Sequence, residues 1–210
     1  MIEAVFWDFG GVFTPSPFDA FDSYAAELGV TGTMLFETVL GPYHRDTDHP
    51  WHRLERGELS MEDAFVQTIE TADAAGIEGF EATALFSEMG SGFFDARPEI
   101  VEAVRDLSRR GIRHAMVTNN VRELATSWRP LLPLDELFEV VIDSSEVGMR
   151  KPDPGIYGLA LEEMGVQSSS TVFVDDLESN VVAARELGMH GVVFGPDAEV
   201  SLAELYDLVT

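Results

Sequence analysis

Short, continuous apolar segments recur along the chain and predict strands that are buried in a sheet. These segments are rich in Val, Ile and Phe, and they cover residues 4–7, 112–117, 138–142, 171–174 and 191–194. Strands of a parallel sheet are covered on both faces, so they carry continuous apolar sequence rather than an alternation of apolar and polar residues. The pattern therefore predicts five parallel strands.

Helical patterns separate these strands. Apolar residues recur at helical spacing over 98–110, 124–128, 154–164 and 179–187. Pro98 fits the first turn of its helix, and glycines stand where three of these helices should end. The alternation of strands and helices predicts a doubly wound α/β fold with a mostly parallel, Rossmann-like sheet.

Residues 15–90 break this alternation, because they contain helical patterns and no convincing strand. Ser60 followed by Asp63 is a helix-start signal in this segment. The helical patterns cover 18–28, 33–40, 61–75 and 77–88. Ligands of open α/β sheets bind beside the carboxyl ends of the strands, where this insertion lies. We therefore predict a small α-helical cap domain over 15–90 and an α/β core formed by 1–14 and 91–210.

The composition excludes several classes of function. The chain has 210 residues, 45% of them apolar, with a formal net charge of −25 and no cysteine. Such acidity argues against binding to nucleic acid or to an anionic membrane, because both require clusters of basic residues. Disulfides and thiolate metal sites are excluded, and no apolar stretch approaches the ~18 residues of a membrane span. The N-terminus lacks the features of a signal peptide, so we expect a cytoplasmic protein, either a monomer or a homodimer.

Polar residues follow the predicted strands at the point where each strand ends. Asp8 follows the first strand, Thr118 and Asn119 the second, and Asp175 and Asp176 the fourth. Because the ends of parallel strands share one edge of the sheet, we expect these side chains to converge in a single crevice. Carboxylates brought together repel one another unless a cation lies between them, and an oxygen-rich site suits Mg²⁺.

The loop after the third strand contains Lys151, the one lysine among 13 basic residues. A lone lysine in a chain that otherwise uses arginine suggests a site that needs a compact ammonium rather than a planar guanidinium. Together with the carboxylates and a metal ion, it completes what phosphoryl chemistry uses: a nucleophile, oxygen donors and charge neutralisation.

Four segments, in order along the chain, resemble the four motifs of the haloacid dehalogenase-like hydrolase superfamily. They are 8–12 (DFGGV), 117–119 (VTN), 148–154 (GMRKPDP) and 172–180 (VFVDDLESN). The helical segment between the first two has the place and size of the small cap of that family. The resemblance covers essentially the whole chain, and it implies a hydrolase with an α/β core and a helical cap.

The resemblance implies a magnesium site at the edge of the sheet. Asp8 would act as the nucleophile and also bind the metal. The backbone carbonyl of Gly10 and the carboxylate of Asp176 would be the other protein ligands. Asp175 and Asn180 would fix the waters of the metal and the neighbouring groups.

The same resemblance implies a set of phosphate-binding residues. Thr118 and Asn119 would hold the phosphoryl oxygens together with backbone N–H groups after Asp8. Lys151 would neutralise charge on Asp8 and on the transition state.

Gly10 departs from the usual phosphatases of the family, which carry a second aspartate at this position. That aspartate protonates the leaving group and later activates water, and loss of such a group costs ~10²–10⁴-fold in rate. A branch of the family with Asp-x-Gly in its first motif includes proteins that resemble sugar-phosphate phosphatases and the phosphatase domain of epoxide hydrolases. Residues 148–154 and 56–60 (RGELS) look closest to that branch.

We therefore predict a Mg²⁺-dependent phosphatase that acts on a small phosphorylated metabolite, with a sugar phosphate as one candidate, through an aspartyl-phosphate on Asp8. Two alternatives stay open. A 2-haloacid dehalogenase would use Asp8 against carbon and needs no metal, so the acidic pair that follows the fourth strand counts against it. The other alternative is a domain that binds a phosphometabolite with little turnover, because Gly10 supplies no acid.

Three histidines, His44, His49 and His52, lie with Trp51 and Arg53 in a predicted loop of the cap. Their spacings fit no standard pattern of metal ligands, so we expect surface or substrate-contact roles. They are also candidates for the group that replaces the missing acid of the first motif.

Overall fold

Five strands form one parallel sheet. The computed structural model describes residues 1–16, 19–89 and 95–210. Its strands are β1 (Ala4–Trp7), β2 (Arg113–Thr118), β3 (Val140–Asp143), β4 (Thr171–Asp175) and β5 (His190–Val193). Their order in the sheet is β3-β2-β1-β4-β5. Each strand lies within about two residues of a predicted one, and the predicted doubly wound α/β fold is confirmed.

Helices connect and cover these strands. In the described residues the α-helices are α1 (Asp19–Leu28), α2 (Gly32–Leu40), α3 (Pro50–Glu55), α4 (Met61–Ala74), α5 (Ala82–Met89), α6 (Pro98–Arg109), α7 (Ala125–Trp128), α8 (Leu134–Leu137), α9 (Ser144–Val147), α10 (Pro154–Met164), α11 (Glu178–Glu186) and α12 (Ala198–Val209). Short 3₁₀ helices cover Arg122–Leu124, Arg129–Leu131 and Ser168–Ser170. No helix in this part of the chain has both the length and the apolar character that a membrane crossing requires.

The central strand β1 supplies both layers of the core, because successive side chains of a strand alternate between its two faces. Val5 and Trp7 pack with α6 and α12 on one face of the sheet. Ala4 and Phe6 pack with α10 and α11 on the other face. All four side chains are fully buried, which is why the sequence of this strand is continuously apolar.

The register of the sheet decides which residues meet at its carboxyl edge. β1 pairs with both β2 and β4, and Trp7 lies opposite Met116 and Val174. The next residue, Asp8, therefore lies beside the ends of both neighbouring strands. Its backbone N–H donates to the carbonyl of Val174 at 2.9 Å, which continues the ladder by one residue.

The helices α1 to α5 pack around an apolar cluster of their own. Phe21, Leu35 and Ile77 are among its buried members. Three of the predicted helices occur within about one residue of α1, α2 and α4, and Phe18 lies outside the described residues. Residues 19–89 contain no strand, as the sequence predicted.

The predicted helix over 77–88 is wrong at its start, because α5 begins at Ala82. Gly76 and Gly79 adopt positive φ angles of 76° and 78°, so the chain turns after α4 instead of continuing as a helix. Ile77 bonds back to a carbonyl of α4 and is fully buried. Because Ile77 is apolar and buried, it fits the helical spacing of the sequence although it lies in the turn between α4 and α5.

The predicted loop that carries three histidines is also partly wrong, since it contains α3. Pro50 occupies the first turn of this helix, and His49 caps it by accepting from the N–H of Trp51 at 3.2 Å. The helix has 6 residues, which is too short for an apolar periodicity to reveal it.

Candidate active site

Three aspartates meet at the carboxyl edge of the sheet. Asp8 follows β1, Asp175 ends β4 and Asp176 comes next, and one oxygen atom of each lies within 4.8 Å of the others. Within residues 1–16, 19–89 and 95–210, this is the one group of acidic or histidine side chains arranged closely enough to hold a metal ion. The structure thus brings together the acidic residues that follow the first and fourth strands.

The ammonium of Lys151 lies between two of these carboxylates. Its Nζ atom is 2.7 Å from Asp8 Oδ1 and 2.7 Å from Asp175 Oδ2, and its side chain is 1% exposed. Burial acts to lower the pKa of Lys151, but the charges of Asp175 and Asp8 outweigh burial and raise this pKa above its ordinary value. Lys151 is therefore a fixed positive charge in contact with the predicted nucleophile.

The environment of Asp8 differs from that of an ordinary aspartate. Its Oδ1 atom accepts from the N–H of Phe9 at 2.7 Å as well as from Lys151. The net effect of burial, which raises the pKa of Asp8, of Lys151, which lowers it, and of Asp175, which raises it, is a pKa of about 7 instead of 3.8. Burial, together with Asp175 and Asp8, also raises the pKa of Asp176 well above its ordinary value. A cation bound between these groups favours their ionised forms.

Asp175 differs from Asp176 in what its oxygens contact. Its Oδ1 accepts from the Nδ2 of Asn180 at 3.0 Å, and its Oδ2 accepts from Lys151. Asp176 Oδ2 instead accepts from the hydroxyl of Ser16 at 2.9 Å, a contact that the sequence did not indicate. Asp175 thus holds other side chains in place, whereas Asp176 keeps more of its acceptor capacity for a ligand.

Asn119 positions the loop that carries Lys151. Its Oδ1 accepts from the Lys151 N–H at 2.7 Å, and its Nδ2 donates to the Lys151 carbonyl at 3.0 Å. Both ends of this side-chain amide are therefore used within the protein. Thr118 ends β2, is 1% exposed and lines the same cavity as Asp8.

The turn after Asp8 depends on Gly11. Its φ angle is +75°, and a Cβ atom placed there would lie 2.0 Å from Asp176 Oδ2. A side chain at this position would both strain the backbone and collide with an acidic residue of the site. Gly10 is not among the described glycines that have positive φ.

One cavity, about 140 Å³ in volume, joins this edge of the sheet to the helical segment α1–α5. Its lining includes all the predicted site residues apart from Asp175, namely Asp8, Gly10, Thr118, Asn119, Lys151, Asp176 and Asn180. The remaining described lining is largely apolar, and most of it comes from the helical segment α1–α5 and from the segment after β2.

A buried polar cluster borders the cavity and was missed by the sequence analysis. Arg150 Nε is 2.6 Å from Glu55 Oε2, and the two side chains are 0% and 4% exposed. The other oxygen of Glu55 accepts from the hydroxyl of Tyr43 at 2.5 Å and from the indole N–H of Trp51 at 2.9 Å. The cluster ties α3 to the residue beside Lys151. No local sequence pattern indicated this pair, although Arg150 lies within the 148–154 segment and Glu55 directly precedes the 56–60 segment.

The described lining of the cavity includes none of the three histidines of the helical segment. His49 Nε2 lies 3.1 Å from the carbonyl of Thr38, and His52 Nδ1 accepts from the N–H of Thr47 at 3.0 Å. His44 borders a separate and more open surface depression. The structure therefore does not bring these residues to the site of Asp8.

The fold has counterparts in a known class of hydrolases. The haloacid dehalogenase-like hydrolase family matches residues 2–188 of the chain. The chain belongs to this family, so the resemblance seen in its four motif segments and the prediction of a hydrolytic enzyme are confirmed.

Curated relatives of the chain include phosphatases. It is 32% identical to a phosphatase of Mycobacterium tuberculosis, over 90% of the chain and 85% of that protein. It is 28% identical to a sesquiterpene phosphatase of Aspergillus oryzae, over 99% of the chain and 96% of that protein. Over 90% of its length, the chain is also 31% identical to acyl-CoA dehydrogenase family member 10 of mouse, but this match spans only 18% of the mouse protein.

Solved structures share the fold of the whole chain. A family member from Bacteroides thetaiotaomicron, in complex with magnesium and inorganic phosphate, has a TM-score of 0.61 against this chain. The two are 19% identical, and the match covers 94% of this chain and 96% of the other. At this level of identity the likeness concerns the fold.

Proposed function

We propose that this protein is a Mg²⁺-dependent phosphatase that hydrolyses the phosphate monoester of a small metabolite through an aspartyl-phosphate on Asp8. The observation that carries the proposal is the contact of Asp8 with Lys151 inside a cluster of three aspartates. A carboxylate nucleophile, a fixed ammonium and oxygen ligands for a cation are what phosphoryl transfer requires. The relatives that are named phosphatases support the same reaction.

The donor set of the site fits Mg²⁺, which prefers carboxylate and carbonyl oxygens. Asp8, Asp176 and the carbonyl of Gly10 would hold the ion, since the oxygens of Asp175 already contact Lys151 and Asn180. When bound, the ion supplies positive charge against the phosphoryl oxygens and against the crowded carboxylates. The magnesium complex of the Bacteroides structure agrees with this choice of metal.

The residues of the chain divide the chemistry between them. An oxygen of Asp8 attacks phosphorus as the bond from phosphorus to the ester oxygen breaks, and the alcohol leaves with a proton from water. A water oxygen then attacks the same phosphorus, which releases inorganic phosphate and restores Asp8. Lys151, the hydroxyl of Thr118 and the backbone N–H of Asn119 would hold the phosphoryl oxygens, because the side-chain amide of Asn119 bonds the Lys151 backbone.

The division of the chain into a core (1–14 and 91–210) and a cap (15–90) belongs to this proposal. The separate apolar cluster of α1–α5 supports it, as does the cavity between these helices and the edge of the sheet. A cytoplasmic location and a monomeric or homodimeric state are likewise proposed.

Hydrolysis of p-nitrophenyl phosphate, with Mg²⁺ and with excess chelator, tests the proposal. We expect turnover that requires the metal, that is abolished in Asp8→Asn because an amide does not attack phosphorus, and that is strongly reduced in Asp176→Ala. Asp135→Asn makes the same chemical change at an exposed aspartate of α8 and should leave turnover at the wild-type level.

This assay, together with measurements of halide release and of phosphate binding, separates the alternatives. Undiminished hydrolysis in excess chelator would reject the metal assignment. Halide release from a 2-haloacid, without phosphatase activity, would favour the dehalogenase. Tight binding of inorganic phosphate without hydrolysis of any ester would favour the second alternative, a domain that binds a phosphometabolite with little turnover because Gly10 supplies no acid.

A further inference from the structure

The cavity that contains Asp8 is apolar over most of its described lining. Six of the apolar side chains that face it are at most 7% exposed in the structure as a whole, so they belong to the packed interior. These six are Phe21, Val39, Leu40, Phe80, Leu85 and Trp128. Five of them come from the helical segment and one from α7, so apolar surface approaches the site from both sides.

The polar atoms of the helical part of this lining are mostly engaged within the protein. Glu55 accepts from Tyr43 and Trp51 and contacts Arg150, so the polar groups of the three lining side chains Glu55, Tyr43 and Trp51 are engaged within the protein. The hydroxyl of Thr68 is the one buried polar atom of that lining without a hydrogen-bond partner in the described residues. The helical segment therefore offers a bound molecule very few hydrogen bonds.

The free energy of binding in such a cavity differs between a sugar and a hydrocarbon chain. The hydroxyl groups of a sugar would lose their bonds to water and gain few in exchange, which opposes binding. Among the buried side-chain polar atoms of the described lining, those left without a partner are the Thr68 hydroxyl, the Trp128 indole N–H and the Asn180 Oδ1. A hydrocarbon chain gains from the same burial in proportion to the apolar surface that it removes from water. The lining thus selects against polar alcohols and in favour of apolar ones.

We propose that the natural substrate is a phosphate monoester of an apolar, hydrocarbon-like alcohol, with the phosphoryl group at Asp8 and the hydrocarbon against Phe21, Val39 and Trp128. This inference rests on the proposed phosphatase function and names its substrate class. Hydrolysis adds one water to the ester and yields inorganic phosphate and the free apolar alcohol. The reaction that supplies the substrate must therefore phosphorylate such an alcohol or remove one phosphate from its diphosphate.

A series of primary n-alkyl phosphates, from ethyl through butyl, hexyl and octyl to decyl, tests the proposal with the intact enzyme and Mg²⁺. The leaving alcohols of this series have nearly the same acidity, so differences in kcat/KM report the binding of the chain. We expect kcat/KM to rise about four-fold per methylene until the cavity is filled, which corresponds to ~0.8 kcal/mol per buried CH₂ group. Glucose 6-phosphate and glycerol 3-phosphate, also primary alkyl esters, should react no better than the ethyl ester.

A pair of matched variants locates the effect in the cavity. Val39→Thr places a hydroxyl in the lining at nearly constant shape, and it should lower kcat/KM for decyl phosphate far more than for ethyl phosphate. Val192→Thr makes the same change at a fully buried residue of β5 that is not part of the described lining. Val192→Thr should change kcat/KM for the two esters by the same factor, because it acts only through the stability of the protein.

Binding without turnover gives an independent readout. The Asp8→Asn protein should bind decyl phosphate with a negative change in heat capacity, which is the mark of apolar burial, and ethyl phosphate with a much smaller one. A flat chain-length profile, or a preference for glucose 6-phosphate, would overturn the apolar substrate while p-nitrophenyl phosphate is still hydrolysed. Failure to hydrolyse p-nitrophenyl phosphate as well as every alkyl ester would instead reject the phosphatase function itself.

Discussion

Lys151 is a point charge that touches two carboxylates in a space closed to solvent. Its Nζ atom lies 2.7 Å from Asp8 Oδ1 and 2.7 Å from Asp175 Oδ2. We predict that Lys151→Arg lowers kcat/KM by ~10²-fold or more, although charge is preserved, because a planar guanidinium does not fit a position made for a compact ammonium. Arg105→Lys, a change between the same residue types at the surface of α6, is the control. If Lys151→Arg retained turnover near the wild-type level, the mechanism would not require a lysine at this position.

Gly10 leaves the first step of the reaction without the usual proton donor. We predict that kcat/KM of the wild type depends steeply on the acidity of the leaving group, so that aryl phosphates react faster than apolar alkyl phosphates of similar size. Gly10→Asp should flatten that dependence. The positive φ of this turn lies at Gly11, so an aspartate at position 10 meets no such strain. Rates across esters of graded leaving-group pKa give the measurement, and a flat wild-type profile would show that another group already supplies the proton.

His114 couples the stability of the core to pH. It is 2% exposed, and its Nδ1 accepts from the indole N–H of Trp7 at 3.1 Å. Burial lowers the pKa of His114 from 6.5 to about 4. Between these values the unfolded chain binds a proton that the folded chain does not, so the free energy of unfolding falls as the pH falls. The contribution is on the order of 3 kcal/mol, since one pKa unit corresponds to ~1.4 kcal/mol.

Urea unfolding at neutral pH and again just above pH 4 measures this coupling. The wild type should lose more stability on acidification than His114→Gln, which retains an acceptor for Trp7 and does not titrate in this range. His190→Gln changes an exposed histidine and should behave as the wild type does. Equal losses in the wild type and in His114→Gln would contradict the assignment.

Among the elements, the link between α3 and the loop before α10 stands out for its burial. We predict that Glu55→Gln lowers the free energy of unfolding by ~3–5 kcal/mol, because it leaves the buried charge of Arg150 without its carboxylate. Glu58→Gln makes the same change in a pair with Arg56 where the acidic partner is 44% exposed, and it should cost ~1 kcal/mol or less. Urea midpoints of the two variants provide the comparison. Similar small losses in both would show that the buried pair contributes little.

The sequence predicted the strands and most long helices because their apolar patterns extend over several turns or a whole buried strand. It also predicted that Asp8 and Asp176 would converge, since the carboxyl ends of parallel strands share one edge. It missed α3 and α12, although Asp197 caps α12 by accepting from the N–H of Glu199 at 3.0 Å. The link between Glu55 and Arg150 was out of reach, because it depends on how α3 docks and not on any local pattern.

At the scale of the whole molecule, the net charge of −25 opposes the approach of a phosphate ester. Repulsion of this kind is long-ranged and is screened within ~10 Å at 0.1 M salt. We predict that kcat/KM for a phosphate dianion rises as sodium chloride is added from low ionic strength at constant Mg²⁺, with the gain mainly in KM. Assays across a salt series test this. A steady fall in kcat/KM over the same series would show that local positive charge at the site dominates the encounter.

The burial of Lys151 also gives the chain an unusual chemical property. Reagents and enzymes that acylate lysine act on an accessible, unprotonated ε-amino group, and the one ε-amino group of this chain is 1% exposed and paired with two carboxylates. Acetylation or amine-directed labelling of a lysine side chain therefore requires the fold to open around the site. The rate at which Lys151 acquires such a label therefore measures how readily the fold opens around the site.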